Sequence, residues 1–256
     1  MNSGLRRNRA QQWPTIDTSL IALVSVAAIL LLATFFTRGL ISLVLLSAGL
    51  FTALAALALA INLPALLAID TSVLNFFEPY RTTRRDEAAT GVWAFIGKPV
   101  HVLIPAVVLG ALFSVLARSV MPAMSLIGAI GIGVVIEETM KAVFERTATA
   151  GPLLDYPHSF PSGHVTGTGA LLGMVAVCIG AGRSSALQAR LAVLVVAGVL
   201  FVAILALFLS AHTFTDVIGG MLLSGAIVSL GAAALDVSIG RRRRDVETHP
   251  LETSHI

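Results

Sequence analysis

This chain has little charge. Of its 256 residues, 12% are Asp, Glu, Lys or Arg and 56% are hydrophobic, whereas a soluble domain carries roughly 25% charged residues. So little polar surface cannot coat a water-soluble globule, and a bilayer must be part of the solvent. Cysteine is nearly missing too. Cys178 stands alone in an apolar run, which excludes an intrachain disulfide and leaves the redox compartment unread. Strand-type alternation is lacking, which argues against a membrane β-barrel. No small-x-small cleavage site follows the first apolar stretch, about 16–36, so it reads as a retained membrane segment and not as a signal peptide. Nucleic-acid recognition motifs are also absent, although the net charge is +3 and the isoelectric point about 9.6. The basic residues lie at ends and loops (Arg6, Arg7, Arg9; Arg81, Arg84, Arg85; Arg241 to Arg244). There they anchor helix ends and meet anionic headgroups. No nucleic-acid partner is expected.

What is there is apolar length. A spanning helix needs about 20 apolar residues, and segments at about 17–36, 40–62, 99–117, 122–141, 165–182, 191–210 and 214–236 qualify or nearly do. The predicted fold class is all-α, a polytopic transmembrane helical bundle with no separate soluble domain. Frequent Gly and Ala suit helices that pack closely in lipid. The longest polar stretch, Asp70 to Lys98, contains Asn75-Phe76-Phe77-Glu78-Pro79-Tyr80 followed by Arg81, Arg84 and Arg85. It reads as a short interfacial helix with aromatics towards lipid and arginines towards headgroups. Arg241 to Arg244 is expected to end the last helix, and the polar tail after it to be disordered.

Ionisable groups in or beside spanning helices are functional candidates by default, because burying them is costly. Glu137-Glu138-Thr139-Met140-Lys141 through Arg146 ends the fourth segment. Tyr156-Pro157-His158-Ser159-Phe160-Pro161-Ser162-Gly163-His164 opens the fifth. Two crossings later comes Ser210-Ala211-His212-Thr213-Phe214-Thr215-Asp216. Helix parity brings the three stretches to one membrane face whichever way the chain is inserted.

Their residue types suit phosphoryl transfer. Lys141 and Arg146 carry positive charge for phosphate oxygens. Pro161-Ser162-Gly163 at a helix start offers backbone N–H groups and a favourable dipole, and Gly163 has no side chain to hold an anion off. His212 and Asp216 are four apart, so on a helix the carboxylate would fix the imidazole tautomer. His212 could then attack phosphorus while His164 protonates the leaving oxygen. Each piece also has a plain structural alternative. Lys141 with Glu137 or Glu138 would serve as a buried ion pair, Ser162 or Asp216 as helix caps, and His212 with Asp216 as a satisfied polar pair. A metal held by His164, His212 and Asp216 is conceivable, but nothing in their spacing demands one.

Order and spacing resemble the type 2 phosphatidic acid phosphatase superfamily of integral-membrane lipid phosphatases. Its signature runs Lys-x6-Arg-Pro, Pro-Ser-Gly-His, then Ser-Arg-x5-His-x3-Asp. Here Pro161-Ser162-Gly163-His164 matches completely, His212 and Asp216 followed by Gly219-Gly220 match the end of the third part, and Lys141 precedes both. The resemblance extends over about residues 40–237. It departs at two places: Ala148 and Ala206 stand where the family carries arginines.

The resemblance implies a six-helix phosphatase core, a metal-independent mechanism and no cofactor. It implies His212 as nucleophile forming a phosphohistidine, Asp216 orienting it and His164 as general acid. Lys141, Ser162 and Gly163 would bind phosphate, with Arg146, or His158, helping where the arginines are missing. Three regions follow: a tail with an extra hydrophobic segment (1–39), a phosphatase-like membrane core (40–237) and a basic, disordered tail (238–256).

The expected function is hydrolysis of a phosphomonoester or diphosphate on a lipid, such as phosphatidate, a phosphatidylglycerol phosphate or a polyprenyl phosphate or diphosphate. Transfer to another acceptor, a non-catalytic lipid-phosphate binder or transporter, and an ion pathway through Glu137, Glu138 and the histidines are the alternatives. Its partners would be a lipid phosphate and membrane lipids. The family's catalytic face is usually extracytoplasmic, which places the chain in the cell membrane. On that assumption the Lys and Arg distribution favours a cytoplasmic N-terminus, with the first segment lying in the interface or re-entering.

Overall fold

The computed structural model describes residues 18–96, 99–146 and 159–248. Among the described residues the chain is all-helical: α1 (Thr18–Ala33), α2 (Gly39–Ala60), α3 (Pro64–Phe77), α4 (Thr83–Phe95), α5 (Pro99–Ala117), α6 (Met121–Phe144), α7 (Gly163–Gly180), α8 (Ser185–Phe208) and α9 (Phe214–Thr248). Seven helical segments, counting the 3-10 turn Thr34–Phe36 with α1, are long and apolar enough to cross a membrane. Large apolar side chains stand exposed along them, among them Ile29, Phe35, Ile104, Val108, Val115, Val193, Leu194 and Ile204. A water-soluble surface does not carry so much contiguous apolar area. In a bilayer it is the lipid-facing side, and the helices satisfy their own backbone polar groups. The chain is therefore an integral membrane protein with an all-α fold, as its composition predicts.

Small residues let the helices approach. An ideal Cβ on Gly173 of α7 would lie 2.5 Å from Val228 of α9, and one on Gly110 of α5 would lie 3.1 Å from the Cα of Ala123 in α6. The Ser47 hydroxyl on α2 donates across to the Ala226 carbonyl on α9 at 2.9 Å. The buried core gathers along these crossings around Leu54, Ile61, Leu126, Met174, Leu223 and Ile227.

The structure departs from the sequence expectations in three places. α1 lies antiparallel against α2: Leu31 packs on Gly49, and the Ser42 hydroxyl bonds the Thr34 carbonyl at 3.2 Å. It thus accompanies the neighbouring span along its length, a geometry that favours crossing over re-entry. The polar stretch contains two helices where one short one was expected. Pro64 opens α3 at a position where a missing N–H costs nothing. The Thr82 side chain caps α4, and Asp86 stands in that helix's first turn. Finally, α9 does not stop at Arg241 to Arg244 but continues to Thr248. Nothing before Pro250 breaks it, and arginine is a good helix former. The proposed boundary at 237/238 is thus not a helix end. The basic residues Arg6, Arg7, Arg9 and Lys98 fall outside the described residues.

The α7–α9 crossing sets the site's depth. A Cβ on Gly220 would sit 2.7 Å from the Ser162 carbonyl, a backbone atom that cannot swing aside. Gly220→Ala is therefore expected to cost about 1–3 kcal/mol and to lower the thermal unfolding midpoint in detergent. Gly128→Ala meets nothing within 4 Å and is expected to leave the midpoint unchanged or slightly raised.

Candidate active site

The three polar stretches do meet. α6 ends, α7 begins and α9 begins side by side, and the Ser162 N–H donates to the Asp216 carbonyl at 3.0 Å. α3 joins them through its single buried residue, Asp70.

His212 and Asp216 are not on one helical face. His212 lies in the turn between α8 and α9, and Asp216 is in the first turn of α9. What holds them together is a reciprocal cap. Asp216 Oδ2 accepts the Thr213 N–H at 3.0 Å, and the Thr213 hydroxyl accepts the Asp216 N–H at 3.4 Å. The capping role considered for Asp216 is therefore real, and it coexists with the contact to His212. Its Oδ2 stands 3.8 Å from His212 Nδ1, a distance for charge and orientation, too long for a hydrogen bond. His212 is buried and its Nδ1 has no hydrogen-bond partner among the described residues. With Nδ1 turned to the carboxylate, Nε2 faces away from it.

The other two expected positions differ in how they are held. Ser162 is the N-cap of α7, yet its hydroxyl makes no capping bond and is fully buried without a partner among the described residues. Its carbonyl instead accepts both the N–H and the hydroxyl of Thr166. His164 lies flat on Trp93 of α4, ring centroids 3.8 Å apart and planes 11° apart. Trp93 also reaches His212, at 6.0 Å. One indole thus spans both histidines.

The cations are more heavily committed than the sequence suggested. Lys141 bonds Glu137 and, at 3.1 Å, Glu138. Arg146 donates to Asp216 Oδ1 at 2.8 Å and to the Thr215 hydroxyl at 2.6 Å through one terminal nitrogen. Through the other it donates to Asp70 Oδ2 at 2.6 Å. Asp70 in turn accepts the Thr215 N–H and hydroxyl, both at 2.8 Å. The guanidinium expected to help bind phosphate thus lies between two buried carboxylates, which it ties together.

Arg81 also differs from expectation. It does not point to headgroups: its Nε donates to the Phe208 carbonyl at 2.7 Å, and its Nη2 bonds the Ser210 hydroxyl. It thereby places a cation on the C-terminus of α8 and braces the turn that carries His212. Ala206, in the position of a family arginine, is fully buried. Ala148 and His158 lie outside the described residues.

Asp70, Arg81 and Trp93 are site residues that motif reading missed. The available signal was chemical. Asp70 follows Leu66-Leu67-Ala68-Ile69 directly, and a carboxylate against an apolar run wants a buried partner.

The family model of the PAP2 superfamily matches residues 122–237, which hold α6 to α8, the site turn and most of α9. The chain is similar in fold to a transmembrane PAP2-type phosphatidylglycerolphosphate phosphatase from Bacillus subtilis, whose crystal structure is known. The TM-score is 0.63 and the identity 21%, covering 82% of this chain and 98% of that one. No curated protein sequence matches the chain.

Removing one partner of a buried ion pair leaves the other charge uncompensated, at about 3–5 kcal/mol. Asp70→Ala is expected to lose stability of that order in detergent unfolding, and Asp70→Asn, which keeps the shape and one acceptor oxygen, to lose less.

Proposed function

We propose, from the match of residues 122–237 to the PAP2 superfamily model and the likeness in fold to a PAP2-type phosphatase, that the chain is a membrane lipid phosphatase working through a phosphohistidine. The observation that carries this reading is the orientation of His212: Nδ1 turned to Asp216, Nε2 turned away, with Trp93 in contact with both His212 and His164.

In the proposed reaction the His212 Nε2 lone pair attacks the phosphorus of a lipid phosphate. The bond to the lipid oxygen breaks, and that oxygen takes a proton from His164. Asp216 stabilises the charge that His212 acquires. Water then attacks the phosphohistidine, giving its proton to His164, and inorganic phosphate leaves. Lys141, the buried Ser162 hydroxyl and the backbone at Gly163 hold the phosphate oxygens, where preorganised donors stabilise the charge of the transition state. Arg146 acts through Asp216 and not on phosphate. The positive charge comes from lysine and the α7 dipole, so the mechanism calls on no metal and no cofactor.

The substrate is proposed to be a phosphomonoester or diphosphate on a lipid: phosphatidate, a phosphatidylglycerol phosphate, or a polyprenyl phosphate or diphosphate. Residues 40–237 form the phosphatase-like core of this reading, in the cell membrane with the active site on the extracytoplasmic face. One observation favours a second reading, a non-catalytic lipid-phosphate binder: Lys141 and Arg146 are both engaged by carboxylates.

Purified protein is expected to release phosphate from a panel of lipid phosphates with EDTA present. His212→Ala is expected to abolish release, and His164→Ala to lower it by roughly 10²–10⁴-fold. Turnover that survives His212→Ala would remove the nucleophile assignment, and loss of turnover in EDTA would remove metal independence. Lipid-phosphate binding without turnover would favour the second reading.

A further inference from the structure

Glu137 stands on the ground that the proposed function assigns to phosphate. It is buried near the end of α6, and its side chain faces the first turn of α7. An ideal Cβ on Gly163 would collide with Glu137 Oε1, and would lie 2.9 Å from its Cδ and 3.2 Å from its Oε2. The room that glycine leaves open at this helix start is therefore filled by a carboxylate. The same carboxylate takes Lys141, the one cation the mechanism has for phosphate. The neighbouring Ser162 hydroxyl is fully buried and has no partner among the described residues, although Ser162 is the N-cap residue.

Carboxylate and phosphate offer the same thing to such a site, negatively charged oxygens that accept from an ammonium and favour a helix N-terminus. The Glu137 carboxylate lies at two of the three features assigned to phosphate, the Gly163 face and Lys141. We propose that Glu137 is the resident anion of the phosphate subsite. It keeps Lys141 folded towards α7 while the site is empty and withdraws when a lipid phosphate arrives, so substrate binds in competition with a tethered carboxylate. Glu138 differs: it also pairs with Lys141 but is largely exposed, and it is not among the atoms nearest Gly163. This inference rests on the phosphatase reading and adds to it a device that sets substrate affinity.

The test is the binding of orthovanadate, a phosphate analogue, to the full-length chain in detergent, followed by isothermal calorimetry and by its inhibition of phosphate release. Glu137→Gln removes the competing charge and is expected to tighten binding on the order of tenfold or more, because a like charge at about 4 Å in a partly buried site is strongly repulsive. Glu137→Asp draws the carboxylate back by one methylene and is expected to tighten binding less; it serves if the glutamine variant does not fold. Glu138→Gln removes the same charge from Lys141 without clearing the Gly163 face and is expected to have the smallest effect.

Unchanged or weaker binding in the Glu137 variants, while the wild type turns over and His212→Ala does not, overturns this inference alone. Glu137 would then merely support Lys141. An equal gain from Glu138→Gln overturns it as well, since the position at Gly163 would not matter. A wild type that neither binds orthovanadate nor releases phosphate overturns the phosphatase reading and this inference with it.

Discussion

The site depends on one buried charge arrangement, Arg146 held between Asp70 and Asp216. Each of these groups loses hydration on burial, a cost that a good pair only offsets. All three are kept because each also satisfies something else. Asp70 satisfies the Thr215 N–H at the start of α9, Asp216 caps Thr213, and Arg146 closes both carboxylates from the end of α6. Through this tie α3, the exit of α6 and the entry of α9 share one geometry. The entry of α7 joins by the backbone bond from Ser162 to Asp216. His212 is positioned by the turn that this arrangement fixes.

A second consequence concerns charge. The described cations around the site, Lys141, Arg146 and Arg81, are each paired with at least one carboxylate. An unliganded pocket of bare positive charge would be costly at a membrane face. Internal pairing removes that cost and makes phosphate compete for its lysine. The aromatic cover works with it: Trp93 stacks on His164 and stands tilted beside His212, shielding the covered imidazole face from water, where a drier site strengthens electrostatic contacts. α3 with Asp70, α4 with Trp93 and the turn between them with Arg81 lie outside the residues matched to the superfamily. The motif-bearing helices supply the reacting groups, and these two helices hold and cover them.

Much of this was legible in the order of residues. Low charge and apolar length set the membrane class, because hydration and bilayer thickness act on composition and run length alone. Parity then placed Lys141, His164 and His212 on one face, since each crossing reverses the chain. Pairings between residues distant in sequence were not legible. His212 and Asp216 look like a helical pair by spacing, but a Thr213 cap and a turn hold them. Arg146 looks like a free cation near a motif, and only the fold reveals that Asp70 reaches it from α3. Arg81 looks like a headgroup anchor until the end of α8 is seen to offer it a carbonyl.

The sequence by itself determined that this chain is an all-helical membrane protein with its reactive residue types gathered at one end. Hydropathy and helix parity are local or additive properties, readable without coordinates. The tertiary structure alone decided which charges are paired. Glu137 fills the space at Gly163, and Arg146 is spent on Asp70 and Asp216. Both outcomes depend on close approach between elements far apart in the chain, and no spacing rule encodes that approach.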